Sequence, residues 1–284
     1  MTDVFDRVLV AWRPAPVSVS RTLLPARLKA FSDLLDETVP LEPGAPVPML
    51  WHWLAFWESC PQSALGEDGH PRDGHFLPPF ENRRRMMAGG RLEQQEPFVV
   101  GATYERRSEL TDAVVKQGRS GRMLFTTVRH TFRDAGGGVV AVEDEDIVYR
   151  EQPSGQARRL PSPPPVDEAW HSGRGARGRL VFPTDPRVLF RFSALTYNTH
   201  RIHYDAPYGT GVEGYPGLVV HGPLLALHML ELPRRAAATP TRFEYRLQAP
   251  AFSGPAVVVT WDDDGLAAGS EASAGASATA SVTF

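Results

Sequence analysis

At 284 residues with 42% hydrophobic side chains, the chain is long enough for one large domain or two of about 140 residues, each with a core. A formal charge of −3 excludes a global attraction to nucleic acid or an anionic membrane, so any anionic ligand must be held by local basic residues. The one cysteine, Cys60, excludes an intramolecular disulfide framework, and no run of about 18 apolar residues marks a membrane span. The amino terminus has early acids and no apolar core of signal-peptide length, so the expectation is a soluble cytoplasmic protein.

In chain order, Ser20–Glu37 carries Leu24, Leu28, Phe31, Leu34 and Leu35 at helical spacing, which predicts a helix capped by Ser20 or Thr22. Met49–Glu58 is short, aromatic and apolar all round, as a buried helix would be. Three long strands follow, Tyr104–Val115, Arg122–Arg133 and Val139–Tyr149, separated by turns at Gly118–Gly121 and Asp134–Gly138. They read as an antiparallel meander. Glu151–Arg179 holds five prolines, several glycines and scattered charges without periodicity, which marks a linker. The expected organisation is therefore a first half over 1–150, a linker over 151–179 and a second half over 180–284. In the second half Val188–Thr196 leads into a polar turn, and Pro223–Glu231 is an apolar helix. Arg242–Ala249, Ala256–Trp261 and Ser277–Phe284 are strand candidates, and the two halves share no detectable sequence identity.

The most informative words are Phe192–Asp205, FSALTYNTHRIHYD, and Gly217–Leu225, GLVVHGPLL, which pair a His-rich polar turn with a helix start. They resemble the signature of the MaoC-like (R)-specific enoyl-thioester hydratases and dehydratases. HRIHYD and EGYPGLVVHGPL are similar to the branch of mesaconyl-C4-CoA (3-methylfumaryl-CoA) hydratases and type 2 hydroxyacyl-thioester dehydratases. PMLWHWLAFWE and RRRMMAGGRLEQQEPFVVGATYERRSELTD resemble the degenerate half of these enzymes. The resemblance implies an α+β double hotdog, two curved antiparallel sheets each wrapped around a central helix. It further implies a hydro-lyase that reversibly adds water to the 2,3-double bond of an enoyl thioester, with no cofactor. The partner would be an acyl-CoA or acyl-carrier-protein substrate, and the assembly a monomer or homodimer.

Such a reaction needs a base for water, a proton for carbon 2, and stabilisation of charge on the thioester oxygen. His203 is the expected acid/base, since imidazole titrates nearest neutral pH. The bland alternative is a histidine satisfied by core hydrogen bonds. Asn198 stands five residues before it, where the commoner hydratase pattern D-x-N-P-x-H has an aspartate, so the carboxylate base is missing and Asn198 is expected to hold the water through its amide oxygen. The backbone N–H of Gly222, at a helix start followed by Pro223, is the expected oxyanion donor. His221, Val220, Tyr204, Asp205 and Arg201 are the expected substrate contacts, Arg201 as the cation for a substrate carboxylate. Asp205 could instead orient His203.

The same residues permit a metal reading, with His200, His203 and Asp205 joined by His221 or His228. No H-E-x-x-H word or cysteine pair reinforces it, so no metal is expected. Arg83, Arg84, Arg85 and Arg91 crowd the AGGR word and are candidates for phosphates or a carboxylate, although most arginine runs are solvated faces. Trp51–Trp57 is expected to pack the core and, secondarily, to line an acyl pocket. Competing functions are a 3-hydroxyacyl-thioester dehydratase of fatty-acid or natural-product synthesis, a thioesterase, and a catalytically silent acyl-CoA-binding protein.

Overall fold

The structure, a computed structural model, describes residues 4–81, 83–118, 121–151, 178–273 and 275–284. Helix α1 (Val4–Ala11) precedes the edge strand β1 (Val17–Thr22) and helix α2 (Pro25–Leu34). The helix expected over Ser20–Glu37 therefore starts later. Ser20 and Thr22 are spent in the sheet opposite Glu105 and Thr103, and Pro25 sets the first helical turn without wasting an N–H. The helix expected over Met49–Glu58 is a single 3-10 turn, Trp51–Leu54. Leu50 before it adopts a left-handed conformation at φ 67°, and the turn closes through i to i+3 bonds such as Trp53 N–H to the Leu50 carbonyl. Trp51, His52 and Leu54 are fully buried there.

Four long strands follow: β2 (Arg83–Gln94), β3 (Thr103–Gly118), β4 (Gly121–Arg133) and β5 (Val139–Glu151). The last three enclose the strands expected from β-branched alternation; β2, with its basic and glycine-rich word, carries no such pattern. Residues 152–177, most of the expected linker, lie outside the described residues. The chain continues with β6 (Gly178–Phe182), α3 (Pro186–Thr196), α4 (Ala206–Gly211), α5 (Gly222–Arg235), β7 (Arg242–Leu247), β8 (Val257–Asp262), β9 (Gly265–Ser270) and β10 (Ala278–Thr283). Strands β6 and β9 were not expected.

Among the described residues these strands form one sheet in the order β1-β3-β4-β5-β2-β7-β10-β9-β8-β6, every pairing antiparallel. Exchanging each of β1 to β5 with its counterpart in β6 to β10 reverses this order onto itself. The two halves thus repeat one topology about the β2–β7 seam, which is the double hotdog that the motifs imply. At the seam Gly89 faces Arg246 and Gly90 faces Tyr245. A Cβ on Gly89 would lie 2.2 Å from the Tyr245 carbonyl oxygen, and one on Gly90 would lie 2.6 Å from that of Asp144. The glycine pair of the AGGR word therefore serves close strand approach.

The carboxyl-terminal half packs β6, β8, β9 and β10 on α5, and α5 is buried almost throughout from Leu224 to Pro233. No helix of the described residues is long and apolar enough to cross a membrane.

Candidate active site

Helix α3 is capped by Asp185, whose carboxylate accepts the Arg187 N–H at 2.9 Å, and ends on Tyr197 in the left-handed region at φ 53°. That reversal launches the polar turn. The Asn198 side-chain oxygen accepts the His200 N–H at 3.0 Å, and a 3-10 turn spans Arg201–His203. One lone pair of the amide oxygen is thus taken by the backbone; the second lone pair and the NH₂ group remain.

Asp205 caps α4 by accepting the Tyr208 N–H at 3.0 Å, and its other oxygen takes the Arg201 Nε and Nη2 at 3.0 and 2.8 Å. Arg201 also donates to the Glu67 carbonyl at 3.0 Å and lies 4.0 Å over the Tyr208 ring. Both side chains, expected as substrate contacts, hold the turn in shape. Tyr204 is exposed and donates to the Thr199 carbonyl at 2.9 Å, while Val220 packs in the main core.

His203 is buried, and its Nδ1 donates to the Val219 carbonyl at 2.8 Å. A carbonyl can only accept, so the proton sits on Nδ1 and Nε2 is a free-standing acceptor. Burial pushes the imidazole down to about 4, against the opposing pull of the Val219 carbonyl, so it is neutral at physiological pH. His221 stacks on it with ring centroids 3.7 Å apart, hydrogen-bonds Ser193 through Nε2 at 2.8 Å, and leaves Nδ1 unpartnered. Burial and His203 hold His221 well below the ordinary range.

Helix α5 opens at Gly222, directly after His221, with Pro223 in its first turn. By the geometry of any helix start, the Gly222 and Leu224 N–H groups have no intrahelical acceptor and stand at the positive end of the dipole. A Cβ on Gly222 would sit 2.4 Å from the Leu247 Cδ1, so glycine keeps this start close to β7.

The amino-terminal half reaches this site through a loop. Gly69 (φ 88°) lies so close to the active turn that a Cβ would fall 1.9 Å from the Thr199 carbonyl oxygen. Thr199 Oγ1 donates to the Gly69 carbonyl at 2.5 Å, and the Arg201 N–H donates to the Asp68 carbonyl at 2.8 Å. In that loop His70 Nδ1 lies 3.1 Å from Asp68 Oδ2, and its ring stands 4.0 Å from that of His200, which meets His203 edge-on at 5.4 Å. Burial first, then the neighbouring His70, His203 and Arg84, pushes His200 well down. Ligand-type atoms of Asp68, His70 and His200 lie within 4.8 Å of one another. The metal set considered from the sequence does not assemble: Asp205 is paired to Arg201, the His203 and His221 rings are stacked, and His228 lies against Phe182 at 3.9 Å.

The arginines of the AGGR word are likewise committed. Arg91 pairs with Asp144 and Asp146, and Arg85 with Glu145. Arg84 reaches Glu213 at 2.6 Å and the Tyr215 hydroxyl at 2.7 Å, and its charge extends to His200.

Residues 50–253 match the family model described as hydroxyacyl-thioester dehydratase type 2. The chain belongs to this family. It is 45% identical over 210 residues to the mesaconyl-C(4)-CoA hydratase of Chloroflexus aurantiacus, covering 73% of this chain and 72% of that protein. It is 28% identical over 268 residues to the mitochondrial hydroxyacyl-thioester dehydratase type 2 of Schizosaccharomyces pombe, covering 84% and 83%. Among solved structures, a MaoC-like dehydratase from Phytophthora capsici superposes with a TM-score of 0.65 over 99% of both chains at 15% identity. Members of this type 2 dehydratase family act as hydratases or dehydratases, and the matched span holds both the active turn and the loop carrying Asp68 and His70. The sequence reading missed that loop. Its one legible signal was the word GEDGHPRDGH, glycine-rich, without apolar periodicity, and bearing two histidines.

Proposed function

We propose that the chain reversibly hydrates an enoyl-CoA, with mesaconyl-C4-CoA, which would give citramalyl-CoA, as its substrate. The observation that carries the chemistry is His203, neutral, with Nε2 open as an acceptor beside the start of α5. In this reading Nε2 takes a proton from water as the water oxygen bonds to carbon 3. The electrons move onto the thioester oxygen, where the Gly222 N–H meets the charge. Asn198 orients the water with the hydrogen-bonding capacity that His200 leaves to it. The relation at 45% identity supports the choice of substrate. Its distal carboxylate needs a cation, since an unpaired charge in a closed pocket is costly. Both Arg201 and Arg84 are ion-paired, to Asp205 and Glu213; we assign this role to Arg84, because its charge reaches His200 while Arg201 holds the turn in shape. We also take 151–179 as the boundary between the halves, which the reversal of strand order supports.

The family match and the fungal relative favour a second reading, dehydration of a 3-hydroxyacyl thioester. Product analysis by mass spectrometry after incubation with mesaconyl-C4-CoA and crotonyl-CoA separates the readings. Gain of one water by mesaconyl-C4-CoA, faster than by crotonyl-CoA, is expected. Preference for crotonyl-CoA would favour the general dehydratase, free CoA would indicate a thioesterase, and binding without turnover a silent protein.

A further inference from the structure

In the site as described His203 alone handles protons, taking one from water and, once charged, being the one acid at hand. His203 and His221 are buried, stacked and neutral, Asn198 is an amide, and Asp205 is bound to Arg201 and to the Tyr208 N–H. The carboxylate that does touch an imidazole of this row is Asp68. It approaches His70 Nδ1 at 3.1 Å and accepts the His70 backbone N–H at 2.9 Å. His70 is part-exposed, with 23% of its side chain open to solvent, and His200 is likewise only partly buried, whereas His203 and His221 are buried. The loop is built onto the active turn through Gly69, Thr199 and Arg201 across a separation of 130 residues. A solvated surface loop would not need such a fit.

We propose that Asp68 and His70 form the second acid–base pair of the site, the imidazolium of His70 supplying the proton for carbon 2. This rests on the hydratase reading above. Neutral His203 Nε2 takes one proton from water while the water oxygen bonds to carbon 3, and the double-bond electrons pass to the thioester oxygen. The enolate then takes the Nε2 proton of His70 onto carbon 2, and the pair left on Nε2 makes His70 neutral. The proton on His203, a strong acid in its buried place, passes back to His70 through water, and the cycle closes without net proton change. Asp68 stabilises the imidazolium by a charge-assisted bond and so replaces, from the other half of the chain, the carboxylate missing at Asn198.

The test compares His70→Ala, His70→Gln, Asp68→Asn and His203→Ala on an enoyl-CoA the wild type hydrates, with His75→Gln as control because His75 instead bonds the Ala15 carbonyl. His70→Ala should lose at least about 100-fold in kcat, the scale of general acid–base catalysis, with a cooperative thermal transition retained. Added imidazole should restore part of that rate in His70→Ala, since the position is open to solvent. Asp68→Asn should lose about tenfold, and His75→Gln should behave as wild type. Should His70→Ala unfold, His70→Gln, which keeps the volume and a donor toward Asp68, carries the rate comparison.

Full turnover by His70→Ala or His70→Gln beside an inactive His203→Ala overturns the pair and leaves the hydratase reading standing. A loss that imidazole does not restore makes His70 a packing residue and also overturns it. Wild-type activity removed by chelator and restored by zinc would make Asp68, His70 and His200 a metal site instead. A wild type inactive on every enoyl-CoA removes the hydratase reading, and the pair with it.

Discussion

The two halves of the sheet share a strand order but differ in how their central polar residues are partnered. In the amino-terminal half the central element is a four-residue 3-10 turn whose two ring N–H donors share one carboxylate, His52 Nε2 reaching Glu143 at 3.0 Å and Trp53 Nε1 at 2.7 Å, while His52 Nδ1 has no partner among the described residues. On β4 and β5, Arg129 and Asp144 pair at 2.8 Å. In the carboxyl-terminal half the central element is a fourteen-residue helix, and the imidazoles at and near its start are neutral, with His203 Nε2 and His221 Nδ1 unspent. Spent polar groups rigidify a core, whereas unspent ones in a buried place are poised for chemistry.

The contrast predicts two windows of acid lability. Burial holds His203 at about 4 and, with Arg235 assisting, His228 at about 3, below the ordinary 6.5. The unfolded chain therefore takes up these protons first, so stability is full above about pH 6.5 and falls as pH drops towards 4, by about 1.4 kcal/mol per unit for each group. The carboxylates of the other half behave differently. At Asp144 the effect of burial is outweighed by Arg129 and Arg91, and at Glu145 by His130 and Arg85, so both are held low, Glu145 at about 2. Their contribution is present above about 4.5 and is lost below it. Urea unfolding at stepped pH should show a falling midpoint already between 6.5 and 4.5, and His228→Leu should flatten that upper part. A midpoint constant over this range would refute the burial of neutral imidazoles.

Two histidine substitutions sharpen the comparison. His203→Ala should lower hydration at least about 100-fold with folding intact. His52→Ala should do the reverse, costing about 2 kcal/mol through a lost bond to the buried Glu143 and a cavity against Phe98 and Phe132, while turnover per folded molecule stays near wild type. Thermal melts paired with initial rates separate the two. Equal catalytic losses would mean that the amino-terminal turn shapes the site.

What was legible in the sequence follows the same division. The meander of β3 to β5 and helix α5 were readable because periodic apolar residues face one core, and the active turn because its polar word has no structural reason to be so rich in histidine. Strand β2 was not, because its arginines are neutralised across the sheet by Asp144, Asp146 and Glu145, partners that lie more than fifty residues away in the chain. Strand β9, GLAAGS, lacks β-branched residues and is held by pairing on both sides. The contact between His70 and His200 is tertiary and leaves no trace in local pattern.

The smallest effect concerns a largely buried cation that links the two halves beside the site. Arg84, on β2, reaches Glu213 and Tyr215 in the segment before the α5 start, whereas Arg201 is tied to Asp205 within its own turn. If Arg84 meets the distal carboxylate of mesaconyl-C4-CoA, Arg84→Met should lower kcat/KM for that substrate about tenfold more than for crotonyl-CoA, about 1.4 kcal/mol of selective binding. The ratio cancels any common loss from stranding Glu213. Arg201→Met should instead weaken both substrates in parallel, because it loosens the turn that carries His203. A selective loss in Arg201→Met and a parallel one in Arg84→Met would reverse the assignment and return the carboxylate to the active turn.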